Sequence, residues 1–252
     1  MESSEYENLE RVERVHWFYD GKRRIVRRWI ERLRPLGADD VLLDFGAGTG
    51  LFAEEMAPSC RVLALDSFPE SLERLRRRLP PAQVIEPTAA GRIPVPDASV
   101  DCVTALDVLE HVERDAAAVA EFRRVLRPGG LAVVTVPASM LLWSDWDVSL
   151  HHFRRYESES LRALFGDGWT IERLAHVNSL AFPLVWMLRR ARRGGRQTGP
   201  RAEDRVPPCW LNALLRWQFV AQATLRRGGL PFGVGLLLVA RRESGNGVGT
   251  RA

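Results

Sequence analysis

The chain has 252 residues, of which 46% are hydrophobic, and a formal net charge of +4; this length and composition suit one α/β domain with additions and a full core. No apolar run reaches the roughly 18 residues that a membrane span needs, and the three cysteines lack metal or disulfide spacing, so no metal site is predicted. The first residues are acidic and polar, unlike a secretory signal, and we expect a cytoplasmic protein.

An N-terminal helical cap is predicted over residues 1–36, because apolar residues recur there at helical spacing between arginines. Residues 37–242 then alternate between strand and helix patterns. The predicted strands are Val41–Phe45, Arg61–Asp66, Gln83–Glu86, Ser99–Ala105, Leu131–Val136, Trp169–Ala175 and Phe232–Arg241. The predicted helices between them are Leu51–Ala57, Glu70–Leu79, His111–Leu126 and Glu157–Phe165. This alternation predicts an α/β fold with a doubly wound, mainly parallel, seven-stranded sheet.

An insertion separates the last two strands, at roughly residues 178–229. It contains an apolar stretch, an Arg/Gly-rich linker (Arg189–Arg205) and an amphipathic helix near Cys209–Leu225. The apolar stretch and the arginines after it, residues 180–193, have the composition of an interfacial membrane contact. A lid or a homodimer face is the alternative interpretation. The Gly-rich tail, residues 243–252, is predicted to be disordered.

The most informative run is Val41–Gly50, an apolar strand that contains Asp44 and ends in a turn with glycine at every second position. Glycine permits positive φ and lets the backbone approach a ligand closely. A dinucleotide fingerprint, G-x-G-x-x-G, needs its third glycine where this chain has Leu51. Ligands of doubly wound sheets bind at the carboxyl ends of the strands, where this turn, Asp66 and residues 106–107 are all expected.

The run Asp44–Gly50 resembles motif I, E/D-x-G-x-G-x-G, of the class I S-adenosylmethionine (SAM) methyltransferases. Three further segments resemble the small-molecule enzymes of that family. Ile93–Asp101 is similar to their L-P-F-x-D-x-S-F-D segment, Asp107–Val112 to D-V-L-E-H, and Leu126–Gly130 to L-K-P-G-G. The resemblance is strong over residues 40–137 and implies a Rossmann-like methyltransferase fold with SAM as the cofactor.

The resemblance also implies which residues contact SAM. They are Asp44, Gly46, Ala47, Gly48, Thr49, Gly50, Asp66, Ser67, Ala89 and Leu106. Asp44 and the turn would hold the methionine and ribose part. Asp66 lies about 20 residues after the turn and can accept hydrogen bonds from both ribose hydroxyls, or cap the next helix. Ala89 stands where the family often has an acid that meets the adenine, so backbone groups near it are expected to serve instead.

Two flanking segments resemble a narrower, bacterial subgroup. His16–Tyr19 with Gly21–Arg24 is similar to its H-W-W-F…G-R-R segment, and Leu142–Tyr156 to its L-W-S…D…H-x-R-R-Y segment. In that subgroup both segments cap the cofactor pocket and frame the acceptor site. The implied acceptor contacts are Trp17, Trp143, Arg154, Arg155 and Tyr156. For the arginines, a salt bridge to the acidic N-terminus is the alternative, and for the tryptophans it is packing.

Methyl transfer to a hydroxyl also requires removal of the hydroxyl proton, and histidine suits this because its pKa lies near neutral pH. We predict His152 as the base, with His16 second; a structural or gating role is the alternative for each, and His111 is expected to be structural.

O-methylation of a natural product, sugar or lipid-linked small molecule is the first hypothesis and N-methylation the second. A SAM-binding regulatory protein without turnover is a third. No N-P-P-Y motif is present, so no nucleic-acid substrate is expected.

Overall fold

The computed structural model describes residues 3–191, 205–225 and 230–244. Within these ranges the strands are β1 (Val41–Phe45), β2 (Arg61–Leu65), β3 (Val84–Ile85), β4 (Val100–Leu106), β5 (Leu126–Pro137), β6 (Trp169–Val177) and β7 (Gly235–Arg242). They form one sheet in the order β3-β2-β1-β4-β5-β7-β6. None of the helices in the same ranges combines the length and apolar character that crossing a membrane would require.

The sheet is parallel over its first five strands, whereas β7 inserts antiparallel between β5 and β6. The predicted doubly wound, mainly parallel, seven-stranded sheet is therefore confirmed. Because β1, β2 and β4 are adjacent and parallel, their carboxyl ends lie at one edge. This edge brings Asp44, Asp66 and Leu106 into one region.

Alternation along the central strands divides the core between the two faces of the sheet. Leu43 and Val103 belong to one buried cluster, and their neighbours Leu42 and Cys102 belong to the other. Six consecutive residues of β4 are buried, which is typical of a parallel strand covered on both faces. The rigid sheet fixes the position of the strand ends that carry the polar residues.

The helices are α1 (Ser3–Val12), α2 (Trp17–Leu33), α3 (Leu51–Met56), α4 (Pro69–Arg78), α5 (Asp115–Val125), α6 (Asp145–Ser149), α7 (Ser158–Leu164), α8 (Phe182–Ala191) and α9 (Cys209–Thr224). The insertion contributes α8 and α9, and α9 packs on α2. The rings of Phe18 and Phe219 stack with centroids 5.6 Å apart, and a Cβ on Gly21 would lie 2.8 Å from Phe219. The N-terminal cap and the insertion therefore form one layer.

The predicted helix His111–Leu126 is wrong at its start. Leu109–His111 is a short 3-10 turn, and α5 begins only at Asp115. The reason is tertiary: the carbonyls of Leu109 and Glu110 accept hydrogen bonds from Tyr156 and from the Phe153 N–H, so they are not available to a regular helix.

Two strands start three or more residues away from their predicted starts. β5 starts at Leu126 rather than Leu131, because Leu126 pairs with Val100 ahead of a register shift. β7 starts at Gly235 rather than Phe232. Most of the predicted Arg/Gly-rich linker, residues 192–204, and most of the predicted disordered tail, residues 245–252, lie outside the described residues.

Candidate active site

The glycine turn (residues 46–50) follows β1 and uses a left-handed backbone at three positions. Gly46, Gly48 and Gly50 have φ of 72°, 57° and 81°. The N–H groups of Gly46 and Ala47 both donate to the Leu65 carbonyl, at 2.8 and 3.0 Å. The turn is thereby attached to the end of β2. Alternate glycines appear in the sequence because side chains rarely adopt this conformation.

Gly46 also lies against the segment that follows β4. A Cβ built on Gly46 would lie 2.5 Å from Cγ1 of Val108. A Cβ built on Gly48 would have as its nearest atom the Gly46 carbonyl oxygen, 4.0 Å away. The turn is therefore closed on its β4 side and open at Gly48. Residues of the Asp107–Val112 segment are held next to the turn by this contact.

Asp44 is buried at the carboxyl end of β1, with 3% of its surface exposed. Its Oδ1 accepts a hydrogen bond of 2.8 Å from the Thr104 hydroxyl on β4. The pKa of Asp44 is raised to about 7, mainly by burial. The Thr104 hydrogen bond lowers this pKa and the charge of Asp66 raises it, each by less than burial does. A cation bound beside Asp44 would favour its ionised form.

Asp66 connects the end of β2 to the glycine turn. Its Oδ2 accepts the Gly48 N–H at 2.9 Å, and its Oδ1 accepts the N–H groups of Ser67 and Phe68 at 2.8 and 3.0 Å. An ionised carboxylate has about four acceptor positions, so capacity for a ligand hydroxyl is left. Asp66 therefore shapes the turn before α4 but does not cap that helix, whose N-cap is Phe68 without a side-chain hydrogen bond. Its contact with the ribose stays a prediction.

The N-terminal segment covers the glycine turn, a contact that sequence reasoning missed. The Thr49 hydroxyl donates to the Glu13 carboxylate at 2.6 Å, and Glu13 is paired with Arg78 of α4 at 3.0 Å. Tyr6 of α1 is 2% exposed, and burial together with the charges of Asp66 and Glu70 raises its pKa. These residues place α1 over the turn and α4.

Asp107 follows Leu106 at the end of β4 in a left-handed conformation, with φ of 56°. Its carboxylate accepts the Thr135 hydroxyl at 2.8 Å and is paired with Lys22 of α2. Burial alone would raise the pKa of Asp107, but the Lys22 charge and hydrogen bonds lower it. No local pattern in the sequence marks this pair, because Lys22 and Asp107 are 85 positions apart.

The capping segment (residues 142–156) is organised around Asp147, which is fully buried. Its Oδ1 lies 3.0 Å from Nδ1 of His152 and 2.7 Å from Nε of Arg155. Its Oδ2 accepts from Ser144 and lies 3.3 Å from Arg189 of α8. One carboxylate therefore orients His152 and joins the insertion to the capping segment.

His152 also lies next to Glu110 and His111. The rings of His111 and His152 are 4.6 Å apart between centroids and nearly perpendicular. Burial raises the pKa of Glu110 well above its usual range, helped by the charge of Asp107. Burial, followed by the charge of His152, lowers the pKa of His111 to about 4. Sequence reasoning proposed no role for Glu110, because nothing local marks its contact with a residue 42 positions away.

The predicted acceptor contacts have the following positions. Arg154 donates to the Glu113 carbonyl and pairs with Asp115, and Arg155 binds Asp147. Among the side chains that the structure describes, neither arginine pairs with an acid of the N-terminal segment. Tyr156 is buried, and its hydroxyl donates to the Asp115 carboxylate at 2.8 Å. These side chains hold the capping segment against the start of α5.

Trp17 packs edge-on against Phe219 of α9 at 5.8 Å, and Trp143 is partly buried just before α6. His16 is buried and is the N-cap of α2, its Nδ1 accepting the Phe18 N–H at 3.3 Å. Ala89 is exposed in a turn after β3, and Ser67 is exposed beyond β2. Their roles toward cofactor or acceptor stay predictions.

Comparison with known proteins identifies the domain. The methyltransferase domain family matches residues 43–134. This chain carries a methyltransferase domain. The match begins in β1 and ends in β5, so it contains the glycine turn, Asp66 and the Glu110 segment. The methyltransferase resemblance noted in the sequence is thereby confirmed.

Individual relatives agree with the domain. A protein of Mycobacterium tuberculosis described as a probable S-adenosylmethionine-dependent methyltransferase is 32% identical over 145 residues, 56% of this chain and 53% of the relative. An uncharacterised transposon protein of Streptomyces fradiae is 41% identical over 111 residues, 42% of this chain and 30% of the relative. The chain thus spans about half or less of the length of these curated relatives.

The fold is shared with solved methyltransferase structures. The geranyl diphosphate C-methyltransferase of Streptomyces coelicolor has a TM-score of 0.59 and 17% identity, with 89% of this chain and 76% of that chain covered. At this identity the likeness concerns the fold alone. The methyltransferase domain here therefore has the expected Rossmann-like architecture.

The residues at the strand ends fit SAM. Gly46 leaves no room for a side chain, Gly48 faces open space, and two carboxylates, Asp44 and Asp66, lie beside the turn. Carboxylates suit a ligand that carries positive charge and ribose hydroxyls. The turn offers no lysine or arginine for a pyrophosphate group.

Because the pKa of Asp44 is raised, we expect Asp44→Asn to be more stable than the wild type, and more so at higher pH. The folded protein holds a proton on Asp44 up to about pH 7, whereas the unfolded chain loses it near about pH 4. Stability of the ligand-free wild type should therefore fall as pH rises through that interval. Asparagine avoids this cost and still accepts from Thr104. At pH 8 the variant should be more stable by up to the order of 4 kcal/mol.

Urea unfolding at pH 5 and pH 8, without ligand, tests this expectation. Asp39→Asn is the matched control, since Asp39 is exposed just before β1. A gain for Asp44→Asn that is equal at both pH values, or no gain at all, would contradict a buried and protonated Asp44.

Proposed function

We propose that this protein transfers a methyl group from SAM to a small-molecule acceptor. S-adenosylmethionine is the cofactor, and it supplies an activated methyl group on a cationic sulfonium. The observation that carries the proposal is the open glycine turn at Gly48 with Asp44 and Asp66 beside it, in a methyltransferase domain. The protein supplies position and a site from which water is excluded.

The cofactor is held by the residues at the ends of β1 and β2. Asp66 accepts from a ribose hydroxyl at the acceptor position that its own turn leaves unused. Asp44, buried behind the turn, places negative charge near the cationic part of the ligand. Thr49 and Glu13 join the turn to the N-terminal segment, so α1 shields the bound cofactor from solvent.

A hydroxyl on a natural product, sugar or lipid-linked compound is the acceptor that the capping segment supports best. His152 has its Nδ1 oriented by a buried carboxylate at 3.0 Å, the arrangement that fixes an imidazole for work at its other nitrogen. His16 is the weaker candidate, because its Nδ1 already caps α2. An amine acceptor is the alternative, and it needs no such activation.

Titration calorimetry with SAM and with S-adenosylhomocysteine tests the cofactor. Release of S-adenosylhomocysteine from SAM in the presence of pooled phenols, sugars and amines then tests turnover. Binding without turnover on any pool would favour the alternative of a regulatory SAM-binding protein. If neither nucleoside binds, both versions are wrong.

His152→Asn should reduce the turnover of a hydroxyl acceptor tenfold or more while SAM affinity stays the same. Asparagine can donate its amide N–H to Asp147 but cannot hold a proton at neutral pH. His151→Asn is the control, because His151 is the exposed neighbour with φ of 57°, a conformation that asparagine tolerates. Equal turnover of the two variants would rule out hydroxyl activation through His152.

The insertion supports a peripheral membrane contact through residues 180–193. Around α8, Leu180, Leu184 and Met187 are 66%, 55% and 54% exposed, and Trp186 is 38% exposed. Arg190 lies over the Trp186 ring at 5.6 Å. Apolar side chains beside arginine suit the interface of an anionic bilayer.

The double substitution Leu184→Ser/Met187→Ser should abolish sedimentation of the protein with vesicles of phosphatidylserine and phosphatidylcholine at low salt. Val15→Ser is the control, since Val15 is 50% exposed and lies outside residues 180–193. Wild-type protein that stays in the supernatant would contradict the membrane contact. A concentration-dependent mass in analytical ultracentrifugation, lost in the double variant, would instead support a homodimer face.

A further inference from the structure

Three side chains of the metal-ligand types converge beside the glycine turn. They are Glu110 and His111, from the 3-10 turn after β4, and His152 of the capping segment. One oxygen or nitrogen atom from each lies within 4.8 Å of the other two. The two segments are also joined through the backbone, since the Phe153 N–H donates to the Glu110 carbonyl at 2.8 Å.

The Glu110 carboxylate is buried and only partly hydrogen-bonded. The residue is 1% exposed, and no described residue donates a hydrogen bond to its Oε2. An ionised carboxylate out of water is costly unless a partner neutralises it. The nearby cations are engaged elsewhere, since Lys22 binds Asp107 and Arg155 binds Asp147. A cation between Glu110 and the two imidazoles would supply the missing partner.

The histidine side of this cluster is already oriented as in a metal site. Nδ1 of His152 is 3.0 Å from Asp147, which leaves Nε2 for a ligand. Histidines that bind metals usually donate their other N–H to a carboxylate. Asp147 is in turn fixed by Arg155 and Ser144, so the imidazole is held in one orientation.

We propose that Glu110, His111 and Nε2 of His152 bind one divalent transition-metal ion. Two imidazoles and one carboxylate favour ions such as Zn²⁺, Co²⁺ or Mn²⁺ over Ca²⁺ or Mg²⁺. Bonds of about 2.1 Å bring such ligand atoms about 3 to 3.5 Å apart, which small side-chain rotations achieve here. Three protein ligands leave coordination positions open for oxygen atoms of another molecule.

The position of the ion gives it a role that rests on the proposed function. Val108, two residues before Glu110, contacts Gly46 of the glycine turn, so the ion lies on the acceptor side of the cofactor. An acceptor hydroxyl bound to it becomes more acidic and loses its proton to solvent. The oxygen then forms the bond to the methyl carbon, and the sulfur keeps the electron pair of the bond that breaks. With the ion bound, Nε2 of His152 is a ligand and the proton goes to solvent. His152 acts as the base, as proposed above, only in the metal-free protein.

Metal binding is measured on the full chain after treatment with EDTA and desalting. Titration with CoCl₂, followed by calorimetry and by the visible absorption of Co²⁺, should show one ion per chain. Glu110→Gln, His111→Asn and His152→Asn should each weaken binding by about 100-fold or more. His151→Asn and His176→Asn should bind as the wild type does.

Two results would overturn the site: no saturable binding of Co²⁺, Zn²⁺ or Mn²⁺ to the wild type, or wild-type affinity in both Glu110→Gln and His152→Asn. Circular dichroism and SAM titration of each variant separate a lost ligand from a lost fold. Three independent ligand variants keep the test decisive if one of them fails to fold. Because Co²⁺ binding is measured without turnover, the titration tests the metal site even if the methyl-transfer proposal fails.

Discussion

Gly46→Ala is expected to lower the affinity for SAM about 100-fold or more. The added Cβ would lie 2.5 Å from Val108 Cγ1, a separation that requires the end of β4 to move. Overpacking of this kind costs about 1–3 kcal/mol, and alanine at a φ of 72° adds about 1 kcal/mol. Since Val108 adjoins both the turn and the Glu110 segment, the displacement affects the atoms that contact the cofactor.

Gly129→Ala is the matched control for this effect. Gly129 has a similar φ of 79°, but a Cβ there meets no atom within 4 Å. The control therefore carries the backbone strain without the collision. Calorimetry with S-adenosylhomocysteine and urea unfolding of both variants separate the two contributions. Equal affinities in the two variants would show that the contact between Gly46 and Val108 does not shape the site.

Asp147→Asn is expected to destabilise the protein by about 3–5 kcal/mol, the usual cost of removing one partner from a buried ion pair. The side chain of Arg155 is only 3% exposed, so its charge would stay buried without compensation. Arg189 would lose its carboxylate partner on the capping segment as well. We expect faster amide exchange in α8 together with the lower stability.

The exposed Asp145 begins the same short helix and provides the control Asp145→Asn. Urea unfolding and hydrogen exchange of the three proteins give the comparison. A destabilisation of Asp147→Asn no larger than that of Asp145→Asn would mean that Asp147 does not join the insertion to the capping segment. If Asp147→Asn lost stability while amide exchange in α8 stayed the same, Asp147 would stabilise only its contacts with Arg155 and His152.

The elements that sequence reasoning predicted well are those with a local signal. Val41–Phe45 is a strand with the predicted bounds, because a short apolar run between polar residues is readable without tertiary context. The helix expected from His111 failed for the opposite reason. The carbonyls of Leu109 and Glu110, just before its predicted start, accept hydrogen bonds from Tyr156 and Phe153, which are more than 40 positions away in the sequence.

In the candidate site, too, the contacts with a local signal were predicted and the contacts between distant segments were not. Asp44, Gly46 and Asp66 are adjacent in space because parallel strands end at one edge, a rule that the strand pattern alone supplies. The pair between Lys22 and Asp107, and the contact of Glu110 with His152, join elements whose packing has no signature in a single sequence. The membrane contact and the roles of Ala89, Trp17 and Trp143 stay predictions.

By itself the sequence predicted the mainly parallel sheet and the glycine turn, because periodicity and glycine spacing are local properties of the backbone. The methyltransferase domain was implied by the resemblance of four of its segments to a known family. The tertiary structure decided which polar groups meet around that turn. It placed Glu13 against Thr49, joined α8 to Asp147, and brought His152 against Glu110 and His111. Buried charges are stable only with partners, and those partners come from distant parts of the chain.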